Sequence, residues 1–230
     1  MRPGRRRVAV TTAADRAGAL AAALTGEGLE PVELPCIRVE EASSAVLRRA
    51  REAAERADLL LLTSMRSIEI LWPEAGFPRT EVAAVGGGTA ERARSRGGRV
   101  VASGTGGAAR LIGMLDLAGK TVAYPHADGT DRGVLTALQA RAGRVVALPI
   151  YRTAPIGPAG DPVDGAAFAS PSAVQGWTMT RSLTGLVVGA IGPTTAAALE
   201  ARHRAPDVVA FPPSFESLAR ELARHLEEAT

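Results

Sequence analysis

The chain has 230 residues, 46% of them apolar but only 3% aromatic, with a formal net charge of +3 and a pI near 9.7. That is enough apolar matter for one large core or two of roughly 100 residues each. It offers few rings for stacking on bases or caging a flat cofactor, which argues against single-stranded nucleic acid as a partner.

A single cysteine, Cys36, excludes an internal disulfide and suits a reducing compartment. No stretch approaches the ~18 unbroken apolar residues of a membrane span, and no apolar signal segment follows the first arginines. The expectation is a cytoplasmic monomer with neither membrane nor nucleic acid as a partner. "RPGRRR" at the start reads as a solvating tail, and "LRRAREAAERAD" as a solvated helix face. The basic balance favours an anionic small molecule over a cationic one.

In chain order, short apolar runs predict strands at 8–12, 31–34, 58–62, 82–85, 99–102, 121–124, 144–148, 166–169, 186–190 and 207–210. Stretches rich in Ala, Arg, Glu and Leu lie between them and read as helices. Alternating strand and helix implies an α/β fold of parallel sheets with helices on both faces, and two five-stranded sheets suit this length.

The chain is also written twice. Asp58 laid over Asp164 gives an offset of 106, which places Ser64 on Ser170, Gly86 on Gly192 and Thr89 on Thr195 without a gap. A second offset, 114, lays "VAVTT" at 8 over "VAYPH" at 122 and "VELPCIR" at 32 over "VALPIYR" at 146. Together they predict two similar lobes: a discontinuous one of residues 1–35 plus 154–230, and an inserted one of 40–148. The linkers, 36–39 and 149–153, fall in "PCIRVE" and "PIYRTAP" and are expected to lie side by side as a double hinge beside a cleft.

Ligands of open parallel sheets sit beyond the carboxyl ends of the strands, where loops enter helices. "TSMRS" (63–67), "GGGT" (86–89), "SPS" (170–172) and "GPTT" (192–195) all fall there. Helix N-termini present free N–H groups and partial positive charge, suited to carboxylate or phosphate. Capping accounts for one hydroxyl at each mouth, and duplication would preserve caps. The hydroxyl of Thr194, beside Thr195, goes beyond what a cap uses.

Other chemistry finds less support. "GMLDLAGKT" has the wrong glycine spacing for a phosphate loop and leads into a strand, and "GGG" misplaces the third glycine of a dinucleotide fingerprint. His126, His203 and His225 are scattered. "PHADGTD", where His126 nears Asp128 and Asp131, reads as a polar loop in preference to a metal site. No Ser-His-Asp or Cys-His set can be assembled, so the chemistry is expected to need no metal and no cofactor.

"FASPSAVQGW", "AIGPTTAAAL", "LTSMRS" and the "YRT" connector resemble the uroporphyrinogen-III synthase family, in the family's order and over nearly the whole chain. The first two segments are the most specific. The resemblance implies two α/β lobes joined by a two-stranded linker, one lobe being discontinuous. It implies a cofactor-free lyase of tetrapyrrole synthesis that closes hydroxymethylbilane, a linear tetrapyrrole polycarboxylate, while inverting its last ring.

Residue by residue, it assigns substrate contacts to Ser64 and Arg66, Thr89, Ser170 and Ser172, and Thr194 and Thr195. The family's linker tyrosine falls on Tyr151, which overlies Ile37 in the internal repeat. A phenol there is protonated at neutral pH and could deliver the proton that loss of the bilane hydroxyl needs, while hinge packing explains the same residue. Two departures stand out: Thr11-Thr12 replaces a Thr-Arg pair, and Val187 replaces a basic residue found in some relatives. Substrate grip would then lean on backbone N–H groups and on Arg66 or Arg132. A non-enzymatic two-lobed sensor of an anionic metabolite uses the same architecture. A regulator with a degenerate synthase fold has no helix-turn-helix in its favour.

Overall fold

The computed structural model describes residues 5–74, 76–130 and 132–228. The first residues of the basic tail and Asp131 lie outside the described residues. In order, the chain forms β1 (Arg7–Val10), a 3-10 turn (Ala14–Arg16), α1 (Ala17–Gly26), β2 (Glu30–Glu33), β3 (Ile37–Glu41), α2 (Ser44–Arg56), β4 (Leu59–Leu62), α3 (Met65–Leu71), β5 (Glu81–Val85) and α4 (Gly87–Ser95). It continues with β6 (Arg99–Gly104), α5 (Ala108–Met114), β7 (Thr121–Ala127), α6 (Arg132–Gln139), β8 (Arg144–Pro155), β9 (Gly165–Phe168), α7 (Pro171–Thr180), β10 (Val187–Ala190), α8 (Pro193–Glu200), β11 (Val208–Val209) and α9 (Phe215–Glu228).

The chain separates into two compact units, one running to Val39 and resuming at Thr153, the other spanning Glu40–Arg152. The first holds a five-stranded sheet in the order β11-β10-β9-β1-β2, and the other sheet runs β3-β8-β7-β4-β5-β6. Pairing is parallel at β11-β10-β9-β1-β2 and at β8-β7-β4-β5-β6. Strands that correspond under the two offsets occupy the same positions in the two orders. They also keep register: Val8 pairs with Gly165 as Val122 pairs with Leu59, and Gly165 with Val187 as Leu59 with Glu81.

The second sheet has six strands, not the expected five. The additional strand is β3, formed by the "PCIRVE" connector, while "PIYRTAP" prolongs β8 to twelve residues. The connectors are therefore strands that pair. Nothing after Pro35 or Pro149 breaks extended backbone, and the amide of Ala42 donates to the carbonyl of Ile150 at 2.9 Å while that of Ile156 donates to Cys36 at 2.9 Å. At the other extreme, the run 207–210 yields only two strand residues, Val208 and Val209.

Side-chain alternation divides each sheet between two layers. In the first unit Val8, Val10 and Ala167 face Leu20, Leu24, Leu218 and Leu222 of α1 and α9. Ala9, Ala166, Phe168 and Val188 face Val174, Trp177 and Leu199 of α7 and α8. β4 lies inside its sheet between β7 and β5, and all four of its leucines are buried. These cores fix the strands so that their carboxyl ends deliver chain into helix N-termini.

Candidate active site

Four strand ends hold the residues singled out by the sequence. After β4 the chain is still extended at Ser64 (φ −153°), whose Oγ accepts from the Arg66 amide at 3.2 Å and caps α3. After β9, Ser170 is also extended (φ −163°), and its Oγ accepts from the Ala173 amide at 3.2 Å to cap α7. Pro171 opens that helix, and Ser172, its second residue, is half-buried. Both serines thus have caps to make, and because Pro171 brings no N–H, few first-turn donors of α7 are left over once Ser170 is satisfied.

The threonines behave differently. Capping was the ordinary explanation for one hydroxyl at each of these mouths, and the structure removes it for Thr89, Thr194 and Thr195. The N-caps of α4 and α8 are Gly86 and Gly192, neither with a side-chain cap bond. Thr89 and Thr195 are the third residues of their helices and are buried, and the Thr195 amide donates to the Gly192 carbonyl at 3.1 Å. Thr194 is exposed. Gly86 takes φ +82°, a conformation that a threonine would adopt only under strain, so the cap falls on glycine and the hydroxyl moves one turn inward. No N-cap side chain accepts from the first turn of either helix, although at α8 Pro193 brings no N–H and the Thr195 amide is already engaged.

Arg66 and Tyr151 come together within the second unit. The Arg66 guanidinium carbon lies 5.9 Å from the centroid of the Tyr151 ring. Each is only 9% exposed. Tyr151 sits in β8 opposite Ala127 of β7, and its carbonyl accepts from the Asp128 amide at 2.7 Å. It also lines an open pocket of about 320 Å³ with Glu40, Glu41, Asp128, Pro149 and Arg152, where Arg152 pairs with Glu40 at 2.6 Å. Arg132 stands exposed at the start of α6.

His126 corrects the polar-loop reading. It belongs to β7, is 8% exposed, stacks on Tyr124 with ring centroids 4.9 Å apart, and has Nδ1 2.8 Å from the Ala127 carbonyl. The loop begins only at Asp128, because the prolonged β8 keeps β7 paired as far as Ala127. The run 122–126 is buried continuously, so no alternation of polar and apolar residues set His126 apart in the sequence. Sequence reasoning also passed over Phe211 at the carboxyl end of β11, the one aromatic left exposed among the described residues, at 89%.

Among the described residues no three of His, Cys, Asp and Glu are grouped to hold a metal ion. Burial pushes the Cys36 thiol up to about 12, a shift the charge of Arg181 only partly opposes, so this cysteine is no nucleophile. Thr11 at the end of β1 is buried and donates to the Ala167 carbonyl at 2.7 Å, which fits it to hold β1 against β9. No helix among the described residues is long and apolar enough to cross a membrane.

Comparison with known proteins identifies the chain's relatives. The model of the family described as uroporphyrinogen-III synthase HemD matches residues 18–220. Among solved structures, a uroporphyrinogen-III synthetase from Helicobacter pylori matches with a TM-score of 0.64 at 17% identity, over 96% of this chain and 99% of that one. A mutant uroporphyrinogen III synthase from Thermus thermophilus gives 0.61 at 20%, over 98% and 100%, and a wild-type crystal form of that enzyme 0.50 at 22%, over 97% and 99%. At these identities the structural likeness speaks for the fold. A search of curated protein sequences returns no match.

Proposed function

The chain belongs to the uroporphyrinogen-III synthase family, and we propose that it closes hydroxymethylbilane into the inverted macrocycle with loss of one water, as a cofactor-free monomer of the cytoplasm. The observation that carries this reading is the family match across residues 18–220. The duplicated strand ends supply a chemical rationale for it.

The substrate is a chain of pyrroles fringed by carboxylates. The glycine-capped starts of α4 and α8, and the serine-capped starts of α3 and α7, offer N–H donors of the right polarity for that fringe. In this proposal Thr194, Ser172 and Arg132 add side-chain contacts, while Ser64, Thr89, Ser170 and Thr195 shape the mouths whose backbone binds.

The reaction begins as the terminal carbon–oxygen bond breaks. A pyrrole nitrogen pushes electrons toward it, the oxygen takes a proton from the Tyr151 phenol, and water leaves. The resulting azafulvene is attacked by the substituted carbon of the last ring. A spiro intermediate then transfers its bond to the neighbouring position, which inverts the ring. Loss of a proton restores the pyrrole and reprotonates the phenol, so the net change is one water lost. Because nitrogen already drives departure, the acid's share falls toward the low end of the 10²- to 10⁴-fold usual for such groups. Holding the bilane bent for one attacking carbon supplies the rest.

The bilane also closes unaided, without inversion. Chromatographic separation of the two product isomers therefore tests the reading. A non-enzymatic sensor would bind the bilane and leave the isomer unchanged.

A further inference from the structure

The resemblance makes Arg66 a ligand for substrate carboxylate, yet the side chain is nine-tenths buried and lies over the face of Tyr151. Three hydrogen bonds fix the backbones on either side of this contact. The Arg66 amide donates to Ser64 Oγ at 3.2 Å. The next residue, Ser67, donates from Oγ to the Pro125 carbonyl of β7 at 3.4 Å, tying the first turn of α3 to the strand that pairs with β8. The Asp128 amide in turn binds the Tyr151 carbonyl at 2.7 Å.

What these bonds leave free is the ring itself. A tyrosine's second torsion is broad and roughly two-fold, so a fixed backbone does not aim a phenol. A guanidinium within about 6 Å of a ring centroid is attracted to the ring face, more strongly when both are removed from water. Its planar shape also stacks where a lysine ammonium cannot.

We propose that Arg66 is a positioning residue that acts on the reaction through Tyr151, holding the phenol ring by its face so that the hydroxyl is aimed at the departing oxygen. This rests on the reading of Tyr151 as the proton donor.

The chain contains only two tyrosines, Tyr124 and Tyr151, so carbon-13 labelling of tyrosine in the full chain gives two ring signals, and Tyr151→Phe assigns them. With Arg66→Met the Tyr151 signal should shift or broaden while that of Tyr124 stays. Turnover should fall about tenfold with KM changed less than twofold, and more uninverted isomer should escape. Added to Tyr151→Phe, Arg66→Met should cost less than a further twofold, because both changes disable one device. Arg66→Lys, which keeps the charge but not the plane, should show the same ring signature and serves if the methionine variant does not fold.

An unmoved Tyr151 signal in both Arg66 variants overturns the proposal and leaves the proton-donor reading standing. A tenfold rise in KM with turnover intact, or effects that multiply in the double variant, makes Arg66 a substrate ligand instead. Full turnover by Tyr151→Phe removes the proton-donor reading and this proposal with it.

Discussion

Gly176, in the middle of α7, faces the carbonyl oxygen of Cys36 so closely that a Cβ built there would collide with it, and would also meet the Ile156 carbonyl at 2.6 Å. One oxygen belongs to the first connector and the other to the residue just after β8, and the two segments join at this point through the Ile156 amide and the Cys36 carbonyl. The glycine of "SPSAVQGW" therefore serves packing. Alanine at an unobstructed helix position is worth about 1 kcal/mol over glycine, but here overpacking against backbone should cost about 1–3 kcal/mol. Thermal unfolding of Gly176→Ala should show a lowered Tm; a raised Tm would mean that α7 and the connectors do not pack this way.

The two kinds of helix mouth should separate in mutagenesis. Ser64→Ala and Ser170→Ala remove caps and should cost about 0.5–2 kcal/mol each in denaturant titration. Thr194→Ala, at an exposed position without a cap, should leave stability within about 0.5 kcal/mol. If its hydroxyl reaches the bilane, KM should rise by the roughly 2- to 10-fold that one neutral hydrogen bond of about 0.5–1.5 kcal/mol supplies. A Tm loss without a KM change at Thr194 would assign it to structure.

How far the sequence could be read follows from which interactions are local. Ser64 and Ser170 were legible because a cap is settled within a few residues and the repeat aligned them. Gly86 and Gly192 were not, since neighbouring threonines look like better caps than glycine until backbone angles are known. β3 was expected as half of a two-stranded linker and not as a sixth strand of a sheet, because the short run behind Pro35 reads as a connector, and what joins it to the second sheet is its pairing with β8, far along the chain. Arg66 and Tyr151 could each be named, but their contact depends on α3, β7 and β8 packing together.

Asp207 makes stability depend on pH. Burial by itself raises its carboxyl pKa, but hydrogen bonds from Arg204 at 2.5 Å and the Val188 amide at 2.6 Å, with the charges of Arg204 and His225, hold it below the usual value. A depressed folded-state pKa gives stability that is present above the unfolded carboxylate's pKa and lost as pH falls through the folded value. Asp207→Asn should be less stable at neutral pH, with the gap to the parent closing below about pH 4. A gap unchanged down to pH 2 would detach this carboxylate from the acid limb.

Cys36 is fully buried, with its thiol pKa raised to about 12, and its Sγ donates to the Leu34 carbonyl at 3.3 Å. At about pH 8 a disulfide reagent should label the native chain very slowly and the unfolded chain at once, since thiolate and access are both required. Rapid labelling of the native chain would show that the connector region opens. Because the folded pKa is raised, the stability tied to this thiol is full below the unfolded cysteine's value and is lost as pH climbs toward about 12.

The central claim, that the chain directs ring closure, is tested most directly by the isomer ratio formed from fresh hydroxymethylbilane. Parallel incubations with enzyme and with buffer alone, oxidised to porphyrins and resolved by chromatography, give that ratio. The account predicts that the inverted isomer dominates with the protein present, and that Tyr151→Phe moves the ratio back toward the buffer result. The uninverted isomer alone, formed at the buffer rate in the presence of folded protein, would contradict it.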